Sequence, residues 1–423
     1  MFELIRANKI KSAALIIILT AVLMVLGAVL GEASAPGAWP GGLGLAGIIA
    51  IVLSLVAYFQ GDSIMLTMSK ARQIEHKDHP QLFNIVEEMA IAGGMPLPKV
   101  YIIDDGSLNA FATGRKPETA SVAITSGLLA TLNRDELQGV IAHEMGHIKN
   151  RDILFMTLAG ILLGSIALMA DFFLRSMWYS GGGTRRRRSS RDSGGAQAAM
   201  IIIAIVAAIL APIVARLLYL ACSRRREYLA DATAAMLTRY PEGLASALDK
   251  ISHDRDILEV ANRATAPMFI VPPVQKLKVK TRGLFSTHPP TEERIAILRA
   301  MGYGASAEDY QRAYSQLHKG AGIVPGSALR ESKPVAARKA SEKPTKKQRP
   351  EDRLNRAHEA LDMVRRLQGF LFLTCVCGAV LKIPPGYKRP KISCPRCSAT
   401  HSTSEAKPAP PAGANAASGE GEA

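Results

Sequence analysis

The stretch His143-Glu144-Met145-Gly146-His147 decides how this sequence is interpreted. On an α-helix, side chains at positions i and i+4 lie on one face, so the two imidazoles can bind a single tetrahedral metal ion. Glu144 projects beside them, where its carboxylate can accept a proton from a zinc-bound water. Two histidines on a solvated helix face are the alternative, and the apolar flanks count against it. The stretch therefore predicts a zinc site with a glutamate as general base.

The residues before this stretch predict the helix that the metal site needs. Asn133 is a favourable N-cap residue, and Glu136 three positions later completes a capping box. Apolar residues at helical spacing then continue to about Asn150. The predicted helix therefore contains the whole metal-binding stretch.

A catalytic zinc site needs a third protein ligand and an open position for water. Glu227 and Asp231 lie four residues apart on one face of a predicted helix, just after an apolar run. One carboxylate can bind the metal while the other accepts the N–H of a ligating histidine and fixes its tautomer. Solvated acids on an ordinary amphipathic helix are the alternative. We predict that this pair completes the site.

Four uncharged apolar runs predict membrane-spanning helices, because each has at least 18 residues, about the length that crosses a bilayer. They are Ala13–Leu30, Ala33–Gln60, Ile153–Ala170 and Ala198–Ala215. The first could instead be a signal peptide, with Ala33-Ser34-Ala35 as its cleavage site, although its apolar run is long for that. The third and fourth could be buried core helices. We favour four membrane spans, with the lipid bilayer as a partner.

The formal net charge of +16 is concentrated in three places: Arg185–Arg188, Arg224–Arg226 and the segment Lys333–Arg349. Basic residues beside membrane helices are typical of topology signals and lipid contacts, so nucleic acid is not an expected partner. The first cluster lies in the loop Gly181–Gly195. That loop breaks the positive-inside rule if the third and fourth runs both span and the active site faces the cytoplasm.

Four of the five cysteines lie close together near the C-terminus, at Cys375, Cys377, Cys394 and Cys397. This CxC…CxxC spacing suits a closed, tetrahedral, structural zinc site and resembles a zinc ribbon. A pair of disulfides or a redox couple is the alternative. We expect zinc as the cofactor at two sites, one catalytic and one structural.

The chain resembles the HtpX-like branch of the M48 metallopeptidases over about residues 5–300. Four ordered motifs carry the resemblance: NAFATG at 109–114, HEMGH at 143–147, SRRREYLAD at 223–231 and STHPPTEERI at 286–295. The resemblance implies a mainly α integral membrane protein with a small β element. Its core would be a zincin-type (gluzincin) metalloprotease domain with four transmembrane helices, and the C-terminal ribbon would be an added module.

The resemblance also implies a role for each matching residue. His143, His147 and Glu227 would be the zinc ligands, Glu144 the general base and later acid, and Asp231 the partner that orients a ligating histidine. His288 and Arg294 would stabilise the oxyanion. Substrate would lie as an added strand along the edge formed by Asn109, Ala110, Phe111 and Ala112.

These patterns predict how the chain is divided. The predicted units are two N-terminal transmembrane helices at 1–60 and a protease domain at 61–319, which includes transmembrane runs 153–170 and 198–220. A basic flexible linker at 320–350, a helix plus ribbon-like module at 351–402 and a disordered tail at 403–423 follow. Within the protease domain we predict a helix over Gln81–Ala92 and strands at Val100–Ile103 and Ser121–Ile124.

The function expected from these features is that of a zinc metalloendopeptidase of the EC 3.4.24 type. It would hydrolyse misfolded or damaged membrane proteins by Glu-assisted attack of zinc-bound water. Its location would be the cell (inner) membrane, with the active site facing the cytoplasm. The alternatives are a CaaX-type prenyl-protein processing protease and a non-catalytic membrane scaffold with structural zinc sites.

Overall fold

The structure is a computed structural model that describes residues 2–180, 194–254, 288–324, 326–330, 333–341 and 350–408. Nearly all of the predicted loop Gly181–Gly195 lies outside the described residues. So do the chain after residue 408 and the segment around Pro272-Pro273, whose adjacent prolines predict an irregular stretch.

Four long helices match the four apolar runs: α1 (Phe2–Ser34), α2 (Trp39–Met68), α6 (Ile153–Ser180) and α7 (Gly194–Thr238). Each is long and apolar enough to cross a membrane. Only 17% of the most apolar window is buried in α2 and in α7, so most of their surface is left for lipid. The alternative of a buried core helix is therefore not supported for α7, whereas α6 has 44% of its most apolar window buried.

Helix α1 contacts each of the other three apolar helices. The contact between α1 and α2 is close because glycines on the two helices face each other. A Cβ atom on Gly42 would lie 2.1 Å from the carbonyl oxygen of Gly27. Its leucines fill the space between the helices, and Leu19 and Leu23 are fully buried there. This packing brings α6 and α7, which flank the metal-binding motifs in sequence, together.

A small sheet lies at the centre of the protease domain, with strands β1 (Arg72–Gln73), β2 (Lys99–Ile103), β3 (Ala110–Thr113) and β4 (Ser121–Thr125). The order is β1-β2-β4-β3, with β2 and β4 parallel and β3 antiparallel to β4. Strand β3 is therefore at one edge of the sheet.

Helices pack around this sheet and form one apolar core. They are α3 (Pro80–Gly93), α4 (Ser126–Thr131), α5 (Arg134–Lys149), α8 (Pro241–His253), α9 (Thr291–Ala300), α10 (Ala307–Leu317) and α11 (Gly326–Arg330). The predicted helix and two strands each agree with the structure to within one residue at either end. The apolar residues were a sufficient signal: those of α3 lie on one buried face, and β4 is buried along its whole length.

Part of the predicted flexible linker is ordered against the protease domain. The backbone N–H of Ala337 donates to Tyr303 at 2.8 Å, and Ser341 donates to Asp135 through its backbone N–H and its hydroxyl at 2.8 and 2.7 Å. Arg338 forms an ion pair with the same carboxylate at 2.7 Å. The expectation of flexibility is wrong for residues 333–341, because this buried aspartate needs partners and the linker supplies them.

The C-terminal module begins with α12 (Pro350–Leu367), followed by strands β5 (Leu371–Thr374), β6 (Val380–Ile383), β7 (Lys391–Ser393), β8 (Thr400–Ser402) and β9 (Lys407–Pro408). Helix α12 packs on α4 and buries Ala360 and Met363 in the core of the protease domain. Strand β9 pairs with β5. The tail predicted as disordered from residue 403 therefore contributes a strand through residue 408.

Candidate active site

Helix α5 begins with the predicted capping box. The Asn133 side chain accepts from the Glu136 backbone N–H at 2.9 Å, and the Glu136 carboxylate accepts from the Asn133 backbone N–H at 2.8 Å. The metal-binding stretch lies two turns further along. His143 is 1% exposed and Glu144 is 2% exposed, so this helix face points into the protein. The alternative of two solvated histidines is therefore excluded.

Gly146 allows helix α7 to approach the metal-binding stretch. A Cβ atom at this position would lie 3.1 Å from the carbonyl oxygen of Ala230 on α7, closer than ordinary van der Waals contact. A larger residue at this position would force α7 to shift by a few tenths of an ångström. Close approach of the two helices places Glu227 opposite both histidines.

Three side chains from these two helices converge on one point. The Nε2 atom of His147 is 3.4 Å from Oε1 of Glu227, and Nε2 of His143 is 3.6 Å from Oε2. Ligand atoms about 2.1 Å from one tetrahedral zinc ion lie roughly 3.4 Å from each other. The spacing of the three groups therefore fits a single zinc ion.

The environment of Glu227 also fits a metal ligand. Its side chain is 2% exposed, and its Oε2 atom has no hydrogen-bond partner within the described part of the chain, although it forms a long ion pair with Arg294 at 3.4 Å. Burying a carboxylate oxygen without a hydrogen bond is costly, and a bound cation would remove that cost. His143, His147 and Glu227 could thus hold a metal ion together.

Each histidine is oriented by its own carboxylate. Asp231 Oδ1 lies 2.9 Å from Nδ1 of His143, which leaves Nε2 of that ring facing Glu227. Asp152 Oδ2 lies 3.4 Å from Nδ1 of His147 in the same way. Sequence reasoning missed Asp152. Its position five residues after His147, just past the end of α5, was the available signal.

Arg294 is buried among the acidic groups of the site. It is 1% exposed and forms an ion pair with Asp231 at 2.7 Å and a longer one with Glu227 at 3.4 Å. Asp231 and Glu227 raise its pKa against the opposing effect of burial, so the guanidinium stays charged. Its contacts are therefore to groups that hold or orient the candidate ligands.

His288 lies at the edge of the same cluster, with Nε2 3.5 Å from Oε1 of Glu227. It is 6% exposed. Burial lowers its pKa to about 4, so its imidazole is neutral at physiological pH. A neutral imidazole can still donate one N–H to a substrate oxygen.

Glu144 lies between the candidate metal site and strand β3. Burial raises the pKa of its carboxyl group above the ordinary value, and the two nearby imidazoles oppose that effect. The backbone N–H of Ala112 donates a hydrogen bond to the same carboxylate. The predicted base is therefore fixed beside the edge of the sheet.

Strand β3 has one side free of sheet partners. The backbone of Asn109 bonds to Thr125 at 3.0 Å, and in an antiparallel ladder the residues alternate between facing the partner strand and facing away. By this alternation the backbone N–H and C=O groups of Phe111 and Thr113 point towards β4, whereas those of Ala110 and Ala112 point to the unpaired edge; all four residues are buried. The predicted substrate strand is thus at the sheet edge nearest to Glu144.

The four C-terminal cysteines are brought together as predicted. Cys375 and Cys397 sulfurs lie 3.4 Å apart, and Cys377 and Cys394 sulfurs lie 3.7 Å apart. Thiolates about 2.3 Å from one tetrahedral zinc ion would be roughly 3.8 Å apart. All four are free of disulfides. The cluster fits a zinc ribbon.

Comparison with known proteins gives a consistent result. The family model described as peptidase family M48 matches residues 76–302, more than half of the chain. The chain belongs to peptidase family M48. Members of this family use zinc, which agrees with the ligand set described above.

Two relatives are named as protease HtpX homologs. The one from Dictyoglomus turgidum is 46% identical over 261 residues, covering 62% of this chain and 82% of the relative. The one from Dictyoglomus thermophilum is 44% identical over 301 residues, covering 71% of this chain and 95% of the relative. With four membrane-length helices and the M48 domain, the protein is a membrane zinc metalloprotease.

A solved structure, the crystal structure of S. mikatae Ste24p, matches with a TM-score of 0.39 and 23% identity over 70% of this chain and 67% of that chain. This overall similarity is too low for a detailed comparison of the two folds. The cysteine cluster lies outside the range matched by the M48 family model.

Proposed function

We propose that this M48 protease is an endopeptidase in which His143, His147 and Glu227 hold the catalytic zinc and Glu144 is the general base. The convergence of the two histidine Nε2 atoms on the Glu227 carboxylate, at 3.4 and 3.6 Å, carries the proposal. A bound zinc supplies Lewis-acid activation of a water molecule and of the scissile carbonyl.

The protein groups around this site divide the remaining work. The Glu144 carboxylate accepts a proton from the attacking water and later delivers it to the leaving amine nitrogen. Its raised pKa, caused by burial, brings proton transfer closer to neutral pH. Asp231 and Asp152 hold the Nδ1 protons of the two ligating histidines, so that both Nε2 atoms stay available to the metal.

His288 and Arg294 have different roles in this proposal. The neutral His288 imidazole donates its N–H to the oxyanion that develops on the substrate carbonyl. Arg294 acts mainly through Asp231 and Glu227, because its guanidinium is already bonded to Asp231 at 2.7 and 2.8 Å. It is a positioning residue that keeps the acidic groups charged in a buried site.

The substrate is a polypeptide that adds to the open edge of β3. The carbonyl oxygens of Ala110 and Ala112 would accept main-chain hydrogen bonds from it, since the Ala112 N–H is bonded to Glu144 and the Ala110 N–H to the Asn109 side chain. Main-chain bonds carry little side-chain information and thus permit a broad range of substrates. An extended chain is required for this pairing. We infer that the substrates are misfolded or damaged membrane proteins, cut on the cytoplasmic side of the inner membrane.

The C-terminal cysteines would hold a second, structural zinc. The two short sulfur–sulfur distances, without a disulfide, support this assignment over a redox pair. The site is closed by four protein ligands, so it leaves no position for substrate.

Glu144→Gln tests the general base directly. The purified full-length variant should bind as much zinc as the wild type but cleave an unfolded membrane protein in detergent about 100- to 10,000-fold more slowly. Zinc content is measured by mass spectrometry and cleavage by gel. Undiminished cleavage by this variant would show that another residue is the base.

A further inference from the structure

A polar cavity begins where strand β3 ends. It has a volume of about 90 Å³ and lies between three elements: the residues Thr113–Arg115 at the end of β3, Tyr58 and Asp62 on α2, and Thr157 on α6. A single water needs only roughly 10–15 Å³ in a volume of this kind, so the cavity has room for a side chain. It is also at the base of two membrane helices.

The cavity continues the line along which substrate is proposed to bind. Glu144 contacts the backbone of Ala112, and the cavity is lined by the next three residues of the chain. In two paired strands, each residue of one strand lies opposite one residue of the other. A peptide on the open edge of β3 would therefore pass the cavity one to three residues away from its scissile bond.

Gly114 allows the backbone at the end of β3 to approach the backbone of Ala120 closely. Its φ is +122°, and a Cβ atom would lie 2.8 Å from the Cα atom of Ala120. A larger residue cannot be placed there without moving the backbone. Gly114 thus lets the chain pass close to the Thr119–Ala120 backbone as it leaves β3.

Besides Asp62, whose carboxylate accepts from the backbone N–H of Ser63 at 2.9 Å, the charged side chain that lines the cavity is that of Arg115. Its guanidinium lies 5.3 Å from the ring centroid of Tyr58 and 5.7 Å from that of Phe59, so two aromatic rings hold it in place. Within the described residues no carboxylate forms an ion pair with it, whereas the next residue, Lys116, pairs with Glu118 at 4.0 Å. Arg115 therefore offers free donors beside the threonine hydroxyls.

We propose that this cavity is a substrate subsite that prefers a side chain accepting hydrogen bonds, above all a carboxylate, two or three residues from the scissile bond. This inference rests on the proposed endopeptidase function and specifies its substrate class. Aspartate and glutamate are rare inside membrane spans, so such a residue marks the end of a span. The subsite would thus direct cleavage to polar segments beside a membrane helix.

A lipid headgroup could also approach an arginine at the membrane boundary. The substrate is favoured because the cavity is concave, polar and continuous with the β3 edge. An antiparallel added strand would put the acidic residue on the amino side of the bond, and a parallel one on the carboxyl side.

Cleavage-site profiling of the full-length protein tests the proposal. Wild type, Arg115→Gln, Arg115→Glu and Glu144→Gln are each incubated with an unfolded membrane protein in detergent, and cut sites are identified by mass spectrometry. Lys116→Gln is the matched control, because it removes a neighbouring positive charge that does not line the cavity. The Glu144→Gln sample shows which cuts come from a contaminant.

The wild type should be enriched in acidic residues at one position, two or three residues to one side of the cut. Arg115→Gln should reduce that preference about three- to fivefold, which corresponds to the interaction free energy of an exposed ion pair. Lys116→Gln should keep the preference of the wild type. Arg115→Glu should shift the preference towards lysine and arginine.

Two results would overturn the subsite while leaving the protease function intact. One is an identical profile in the wild type and both Arg115 variants. The other is an unchanged profile together with activity in lipid nanodiscs that loses its dependence on anionic lipid in Arg115→Gln, which would assign Arg115 to a headgroup. Absence of any cut specific to the wild type over Glu144→Gln would instead refute the proposed endopeptidase.

Discussion

At the scale of single residues, the site contains two pairs, each made of one candidate histidine ligand and the aspartate that orients it. Asp231 holds His143, and Asp152 holds His147, with both carboxylates fully buried. The first aspartate could be predicted, because it lies four residues from Glu227 in a recognisable motif. The second was missed: it comes five residues after His147, past the end of the helix, where periodicity does not fix the chain direction.

Asp152→Asn should weaken zinc binding by about 10- to 100-fold, the usual effect of losing a carboxylate that orients a ligating histidine. Competition with a chelator of known affinity measures the change. Asp249→Asn is a suitable control, since Asp249 also lies 3.4 Å from a histidine but on an exposed helix surface. Equal affinity in all three proteins would exclude Asp152 from the metal site.

At the scale of elements, the site depends on how α5 and α7 cross. The capping box, the helix and the apolar run before Glu227 were all predicted from local patterns. Their contact was only an expectation, because Gly146 and Ala230 are far apart in sequence and meet through the packing of the whole domain. Similarly, α12 was predicted as a helix, but its apolar face gave no indication that α4 would cover it.

Gly146→Val should separate α5 from α7, since even a single added carbon would lie 3.1 Å from the Ala230 carbonyl oxygen. We expect a loss of stability of about 1–3 kcal/mol and lower zinc content. Thermal unfolding and metal analysis measure both. Gly160→Val on α6, where an added Cβ meets no atom within 4 Å, should change zinc content little. A fully metallated Gly146→Val protein would contradict the packing argument.

Helix α3 should make the stability of the domain depend on pH. His79 is its N-cap, and its Nδ1 atom accepts from the Leu82 backbone N–H at 3.1 Å, which requires the neutral ring. Burial lowers the pKa of His79 from 6.5, so the unfolded chain takes up the proton first. The stabilisation is complete above about pH 6.5 and is lost as the pH falls through the lower folded-state value.

His79→Asn should flatten this part of the pH dependence, because asparagine caps a helix without titrating. Thermal unfolding between about pH 5 and 8 measures the slope. His253→Asn at the exposed end of α8 serves as a control. If His79→Asn loses stability in acid as steeply as the wild type does, the dependence originates elsewhere.

At the scale of the whole molecule, the C-terminal module is attached more firmly than its sequence suggested. Arg338 and Ser341 bind Asp135, which lies about two hundred residues earlier in the sequence. Arg72 donates to the carbonyl oxygen of Leu367 at 2.7 Å. Composition alone predicted a flexible linker here. A segment of charged and small residues can be disordered or ordered. Here the order depends on contacts with Asp135, which lies in another part of the sequence.

Two variants of the module should therefore behave differently. Replacing Cys375 and Cys377 by alanine should remove one zinc per chain and leave the protease domain stable. Ending the chain at residue 341 should remove the same zinc but also lower the Tm of the protease domain, because Ala360 and Met363 no longer cover α4. Equal Tm values for the two variants would mean that α12 contributes nothing to the domain.

Helix α7 begins in a membrane span, contains Pro212, passes through Glu227 and ends at Thr238, 45 residues in all. Since the apolar run ends near Leu220, the carboxylate stands about 10 Å beyond it along the axis. The helix therefore fixes the height of the Glu227 carboxylate above the end of the apolar run. An extended chain covers that height with about three residues, so peptide bonds nearer to the bilayer than this are out of reach.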